Sequence, residues 1–145
     1  MAEAVTALPG KPATSIVQVS DTGEPWLRGY RCGVCGVVVA EPTLCCRACG
    51  SRTAPAEIRL GTTGSLFTWA VVHRSFPGVA VPFVSAIIDL DDGLTVKGTL
   101  RGIEPADLYV GLPVVAVFDD AGGATDAQGA GYIGFHFEPL AGENA

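Results

Sequence analysis

Short apolar runs alternate with breaks rich in Gly, Pro and Asp along most of this chain, and a helical signal is nearly absent. Ile16-Val17-Gln18-Val19 is the first apolar run. It sits in a stretch of Ala, Pro, Gly, Thr and Ser, and predicts one edge strand on a loosely held arm. Trp26, Leu27 and Tyr30 lead into a cysteine-rich segment, where Val37-Val38-Val39 reads as a strand and Pro42 turns the chain. From Gly61 onward the pattern is β-rich. Residues 65–74 (SLFTWAVVHR) are dense in β-branched and aromatic side chains, with Gly61 and Gly64 before them suited to a bend or bulge. Residues 75–81 form a loop around Phe76-Pro77-Gly78, and residues 82–90 (PFVSAIIDL) a second strand. Asp91-Asp92-Gly93 is a tight hairpin signal, answered by a third strand over 94–100. Residues 105–110 are the one short helical turn of this half, with Gly111 as its stop. Residues 113–118 and 132–138 give strands four and five, separated by a Gly-, Ala- and Asp-rich loop at 119–131 that is expected to be mobile. Three strands, a short helix and two further strands is the order of an OB-fold barrel; a generic five-stranded β-sandwich is the alternative.

The cysteine-rich segment changes the picture most. Cys32-Gly-Val-Cys35 and Cys46-Arg-Ala-Cys49 are two CxxC pairs separated by ten residues, each followed by a glycine, Gly36 and Gly50. That spacing points to one tetrahedral four-thiolate zinc site, and the glycines allow the tight turn that aims amide N–H groups at sulfur. Two disulfides, or unrelated core cysteines, are the competing explanation. Four thiolates leave no open position for water, so the metal is expected to be structural, one zinc per chain. Zinc supplies roughly 10–16 kcal/mol of folding free energy in small peptides. Few apolar residues lie in this segment, so the ion is expected to hold it together. Cys45 beside Cys46 could pair with Cys49 instead, but a three-residue spacer would put the knuckle glycine out of phase; Cys45 therefore reads as a spare thiol.

At 145 residues the chain is one domain, or a small module joined to a larger one, and 48% hydrophobic residues suffice to fill a core. No run of eighteen apolar residues is present, so no membrane span is expected. The start of the chain lacks the basic residues and apolar block of a secretory signal, which together with reduced thiols implies the cytoplasm. The net charge of −6 is unevenly spread. Residues 28–59 carry five arginines against two glutamates, whereas residues 60–145 carry three basic and ten acidic groups. A phosphate-bearing partner would favour the first segment, and the second would repel a nucleic-acid backbone.

Catalytic chemistry finds little to work with. The two histidines, His73 and His136, each fall within an expected strand among apolar neighbours. No Gly-rich phosphate loop, GxSxG elbow or HExxH occurs. No catalytic residues are assigned, although a stand-alone enzyme using Cys45 or His73 remains a competing class. Single-strand nucleic-acid binding is the other alternative, with Phe67, Trp69, Tyr132, Phe135 and Phe137 as stacking faces, but the acidic balance opposes it. A protein-binding module fits better. Phe76 and Pro77 lie on a proline-bracketed loop, where a large apolar side chain loses little entropy on docking. The competing expectation is that Phe76 folds back to close the barrel end.

The chain resembles a family of small zinc-ribbon/OB-fold proteins catalogued as domain of unknown function 35. The match rests on the CxxCG…P…CxxCG ribbon from Cys32 to Gly50, a strand ending Trp69-Ala-Val-Val-His73, and Pro82-Phe83. It continues through Leu90-Asp91-Asp92-Gly93, Gly98, Gly111-Leu-Pro-Val-Val115 and Phe135-His-Phe-Glu-Pro139. Two departures stand out: Ala40-Glu41-Pro42-Thr43 replaces the usual aromatic-Pro-Pro-Arg stretch, and Cys45-Cys46 replaces a single cysteine. The resemblance implies a non-catalytic subunit that braces a thiolase-like enzyme acting on acyl-CoA, in thiolysis, acyl transfer or retro-aldol cleavage, including steroid side-chain and aromatic degradation. The expected fold is mainly β: an N-terminal rubredoxin-like four-cysteine zinc ribbon followed by a five-stranded OB-fold barrel. The expected division is an arm over residues 1–21, the ribbon over 22–54, the barrel over 55–140 and a tail over 141–145. In a hetero-oligomer with the thiolase-like subunit, Trp26, Phe76 and Pro77 are expected to touch the partner. Arg47 and Arg52 are expected near the CoA phosphates, with neither nucleic acid nor membrane as a partner.

Overall fold

A computed structural model describes residues 10–140; the parts of the expected arm at 1–9 and of the tail at 141–145 lie outside the described residues. These residues form ten strands and two single turns of 3-10 helix. Contacts divide the chain into two compact units. One takes the residues up to Gly61 with Phe118–Gly134, and the other takes Thr62–Val117 with the chain from Phe135 onward.

The first unit is organised by β3 (Pro25–Arg31), which receives β2 (Val17–Val19), β4 (Val38–Val39) and β5 (Ala56–Leu60) antiparallel to it. Side chains alternate along β3: Pro25, Leu27 and Gly29 are buried, while Trp26, Arg28 and Tyr30 are half-buried on the other face. Val17, Leu27, Val38 and Leu60 make the apolar side of this small sheet. On its opposite side the Arg59 guanidinium lies 5.7 Å from the Trp26 ring and that of Arg28 lies 5.5 Å from Tyr30. The sequence pattern treats Trp26 to Tyr30 as a mere lead-in and gives no strand at Ala56–Leu60. Both are strands because backbone pairing with β3 fixes them, although β5 buries only Leu60. Also in this unit, β1 (Lys11–Pro12) runs parallel to the start of β10 (Tyr132–Pro139). Lys11 Nζ sits 2.6 Å from the Asp126 carboxylate. The hydrogen bond from Lys11, with help from the N–H groups of Ala130 and Gln128, holds that carboxyl below its ordinary range.

The second unit is a five-stranded barrel. Its strands are β6 (Thr63–Val72), β7 (Phe83–Leu90), β8 (Thr95–Leu100), β9 (Pro113–Asp119) and β10. The order β9-β6-β7-β8-β10 closes through pairing of β10 with β9, and β8 meets β10 in parallel. This is the OB-fold. Leu66, Val84, Ala86, Ile88, Leu100, Val114 and Phe137 fill the interior. The β7–β8 hairpin turns where Asp91-Asp92-Gly93 predicts it, with the Gly93 N–H donating to Leu90 O at 2.9 Å and Gly93 at φ +98°. The expected helical turn is a single 3-10 turn, Pro105–Asp107, since Glu104 and Leu108 on either side are extended. A second such turn, Ala121–Gly123, lies in the loop before β10, so the expectation of one helical turn in this half is corrected. β6 begins and ends two residues earlier than the pattern predicts, which leaves His73 and Arg74 beyond the strand. His73 is exposed there, and the expectation that it lies within a strand is corrected.

Candidate metal centre

The two knuckles are built alike. Cys32 N–H donates to Val37 O at 2.9 Å, and Cys46 N–H donates to Ser51 O at 2.8 Å. Each loop closes with a glycine N–H returning to the first cysteine's carbonyl: Gly36 to Cys32 at 3.0 Å and Gly50 to Cys46 at 2.8 Å. Gly36 and Gly50 take φ values of +80° and +76°, which a side chain would oppose. In each knuckle amides point at sulfur, among them Val34 N–H to Cys32 Sγ and Ala48 N–H to Cys46 Sγ, both at 3.4 Å.

These turns bring Cys32, Cys35, Cys46 and Cys49 together, with all four Sγ atoms within 4.8 Å of one another. Cys32 and Cys49 stand 3.7 Å apart, Cys35 and Cys46 3.5 Å. A tetrahedron with metal–sulfur bonds of about 2.3 Å has edges of about 3.8 Å, so the cluster fits a four-coordinate ion with small adjustment. The four cysteines can therefore hold a metal. Cys45 is exposed and lies outside the cluster.

Without a cation, four crowded sulfurs cannot all ionise. The N–H groups of Cys49 and Ala48 pull the Cys46 thiol down to about 6, and those of Cys35 and Val34 lower Cys32. At Cys49 the Ser51 N–H also lowers the value, but burial and the Cys46, Cys32 and Cys35 sulfurs outweigh it and push the thiol up to about 12. In the metal-free chain Cys46 is thus the sulfur that ionises most readily and Cys49 the one that holds its proton longest. Metal uptake must then release protons, but fewer than one for each of the four ligands. Calorimetry in buffers of different ionisation enthalpy will count them. The sign for metal affinity follows: it falls as pH drops, because protons compete with the ion for sulfur, and more steeply once Cys46 too regains its proton.

Beside the sulfurs, Cys32, Val39, Thr43, Cys46, Arg47 and Thr53 line a small, open cleft. Arg52 is exposed and outside that lining. Trp26 is half-buried under Arg59, and Phe76 is 82% exposed on the loop between β6 and β7, with Pro77 exposed beside it. Phe76 therefore does not fold back onto the barrel. Of the two histidines, His73 is exposed and His136 is buried, with its Nε2 2.6 Å from the Glu138 carboxylate. Sequence reasoning missed Arg28, Tyr30 and Arg59, whose aromatic–guanidinium stacking depends on strand register rather than on local pattern.

Fold and cluster together define a four-cysteine, OB-fold protein. The family model described as the C-terminal OB-fold domain of ChsH2 matches residues 57–119. A DUF35 domain-containing scaffold protein of Methanocaldococcus jannaschii is 35% identical over 117 residues, spanning 79% of this chain and 82% of the relative. The chain belongs to this DUF35 family. The benzoylsuccinyl-CoA thiolase subunit BbsA of Geobacter metallireducens is 30% identical over 82 residues, covering 57% of this chain and 55% of BbsA. Among solved structures, the Ltp2-ChsH2(DUF35) aldolase superposes with a TM-score of 0.63 at 27% identity, covering 79% of this chain and 84% of the other. No helix among the described residues is long and apolar enough to cross a membrane.

Proposed function

We propose that this chain is a non-catalytic, zinc-fastened subunit that binds and supports a thiolase-like enzyme acting on acyl-CoA, in the cytoplasm. The observation that carries this reading is the closed sulfur cluster. Four mutually adjacent thiolates fill a coordination sphere, so a bound ion fastens the chain and activates no water. An all-sulfur tetrahedral donor set with these edges suits zinc. Relatives named as a scaffold protein, a thiolase subunit and part of an aldolase assembly support the companion role. Phe76 and Pro77 supply an exposed anchor for docking, and the half-buried Trp26 is assigned as a separate partner contact. Arg47, which lines the cleft beside the cluster, and Arg52 are the guanidinium groups we assign to the CoA phosphates.

A second reading, single-strand nucleic-acid binding, draws on the stacked Trp26–Arg59 and Tyr30–Arg28 pairs. Glu24 and Glu57 lie 3.7 and 3.8 Å from those arginines, and the net charge is −6, so a phosphate backbone meets compensated or negative surface. Measurable oligonucleotide affinity at physiological salt would favour this second reading.

The test is co-expression with a thiolase-like protein encoded by a neighbouring gene, followed by purification through a tag on this chain. A stable complex is expected. Phe76→Ser should weaken it by about 2 kcal/mol or more, roughly thirtyfold, as loss of a central aromatic anchor does. Wild-type affinity for both Phe76→Ser and Trp26→Ala would remove these residues from the interface.

A further inference from the structure

Among the described residues, the barrel strand β6 leaves part of one edge unpaired, as β8 does from Thr95 to Thr99. The outer edge of β6 is paired with β9 only from Thr63 to Ser65, opposite Val115 to Pro113. Leu66 closes this stretch, donating its N–H to Leu112 O at 2.9 Å and accepting from Gly111 N–H at 2.7 Å. At Phe67 the register with β7 shifts, and the hairpin then continues through Thr68↔Ile87 to Val72↔Phe83. Beyond Leu66, no described residue hydrogen-bonds to the other edge of β6. Alternate residues from 68 to 72 therefore turn backbone N–H and C=O groups outward.

The side chains point the same way. Trp69 and Val71 lie opposite Ala86 and Val84, which are buried core residues, so all four share the inward face. Yet Trp69 and Val71 are only half-buried, while their partners on β7 are covered. The sheet position on their open flank is empty among the described residues. Natural edge strands are blunted with lysine, proline, shortness or a bulge; Phe67-Thr-Trp-Ala-Val-Val72 has no lysine or proline, and its one irregularity is the register shift at Phe67, ahead of the regular stretch from Thr68 to Val72. The segment is uncharged and runs directly into the loop that carries Phe76, with Phe67 56% and Phe76 82% exposed.

We infer that β6 between Phe67 and Val72 is a strand-addition site, and that the occupant is an extended, uncharged segment of the companion subunit. Only another strand satisfies a row of alternating donors and acceptors, and apolar side chains on that strand would cover Trp69 and Val71. Residues 67–72 themselves offer no counter-charge to a charged segment; Arg74 lies beyond the end of the strand. The inference rests on the companion role proposed above and specifies how the two proteins join.

Hydrogen exchange on the purified complex and on the free chain tests it. Amides in the peptide covering 67–72 should slow by about tenfold or more on complex formation, because new inter-strand bonds must open before exchange. Val71→Lys should weaken the complex by about tenfold or more, since its ammonium reaches water in the free chain but is trapped beneath an added strand. Metal content and thermal midpoint of the free variant report whether it folds. A complex that forms normally without slowing exchange at 67–72 overturns the strand-addition site and leaves the companion role standing. Failure of the wild-type chain to form any complex overturns both.

Discussion

Cys32→Ser will release the metal and unfold the segment from Arg31 to Thr53. Cys32 is the one buried ligand of the cluster, and its sulfur is held by the Val34 N–H and by contact with Cys49. The segment has little else to hold it: Leu44 is 97% exposed, Val34 is 67% exposed, and the paired strand β4 is two residues long. Structural zinc contributes roughly 10–16 kcal/mol in small peptides, as much as the whole stability of a typical domain, about 5–15 kcal/mol. The expected result is metal-free, aggregation-prone protein, measured by elemental analysis and by fast amide exchange from Arg31 to Thr53. Cys49→Ser should behave the same way. Cys45→Ser should keep full metal content and midpoint, because Cys45 faces solvent outside the cluster. Equal metal loss from Cys45→Ser would show that ligand assignment to be wrong.

Phe137→Ala should cost the barrel about 3–5 kcal/mol, read as a lower urea midpoint at unchanged slope. Phe137 is fully buried on β10 where that strand meets β8 opposite Leu100, and its carbonyl accepts from the Arg101 N–H at 2.8 Å. Its ring meets Phe135 edge-on at 5.6 Å and fills the space left by the missing side chain of Gly98. A Cβ at Gly98 would come within 2.8 Å of that ring. Gly98→Ala alone should therefore destabilise by about 1–3 kcal/mol through overpacking. Gly98→Ala combined with Phe137→Ala should cost less than the sum, since the added methyl enters the cavity that the lost ring leaves.

Those two sites differ in how far the sequence reveals them. The knuckles are legible because covalent chemistry restricts them: a two-residue spacer and a following glycine have few other uses. Strands β6 to β10 are legible from their β-branched runs and from the Asp91-Asp92-Gly93 turn. β3 and β5 are not. Arg28 and Gly29 interrupt the apolar run of β3, and Ala56-Glu-Ile-Arg-Leu60 is mostly polar, so pairing rather than composition makes them strands. The bare edge of β6 is hidden for the same reason. Whether a strand has a neighbour depends on residues some fifty positions away, here Val115 to Leu112, and no local pattern records it. Phe67 looks like core in the sequence, yet the register shift beside it leaves the ring more than half exposed.

Proton counting on metal uptake, the anchor variants and the exchange experiment each address one part of the molecule. The claim that joins them is that this chain carries no reaction of its own and is needed by a companion that does. Acyl-CoA turnover should therefore be measured side by side for the purified chain, for its thiolase-like companion alone and for the two together, with zinc present throughout. The expected result is no turnover by the chain, little by the companion and full activity for the complex. Turnover of an acyl-CoA by the isolated chain, or full activity of the companion without it, would contradict the account.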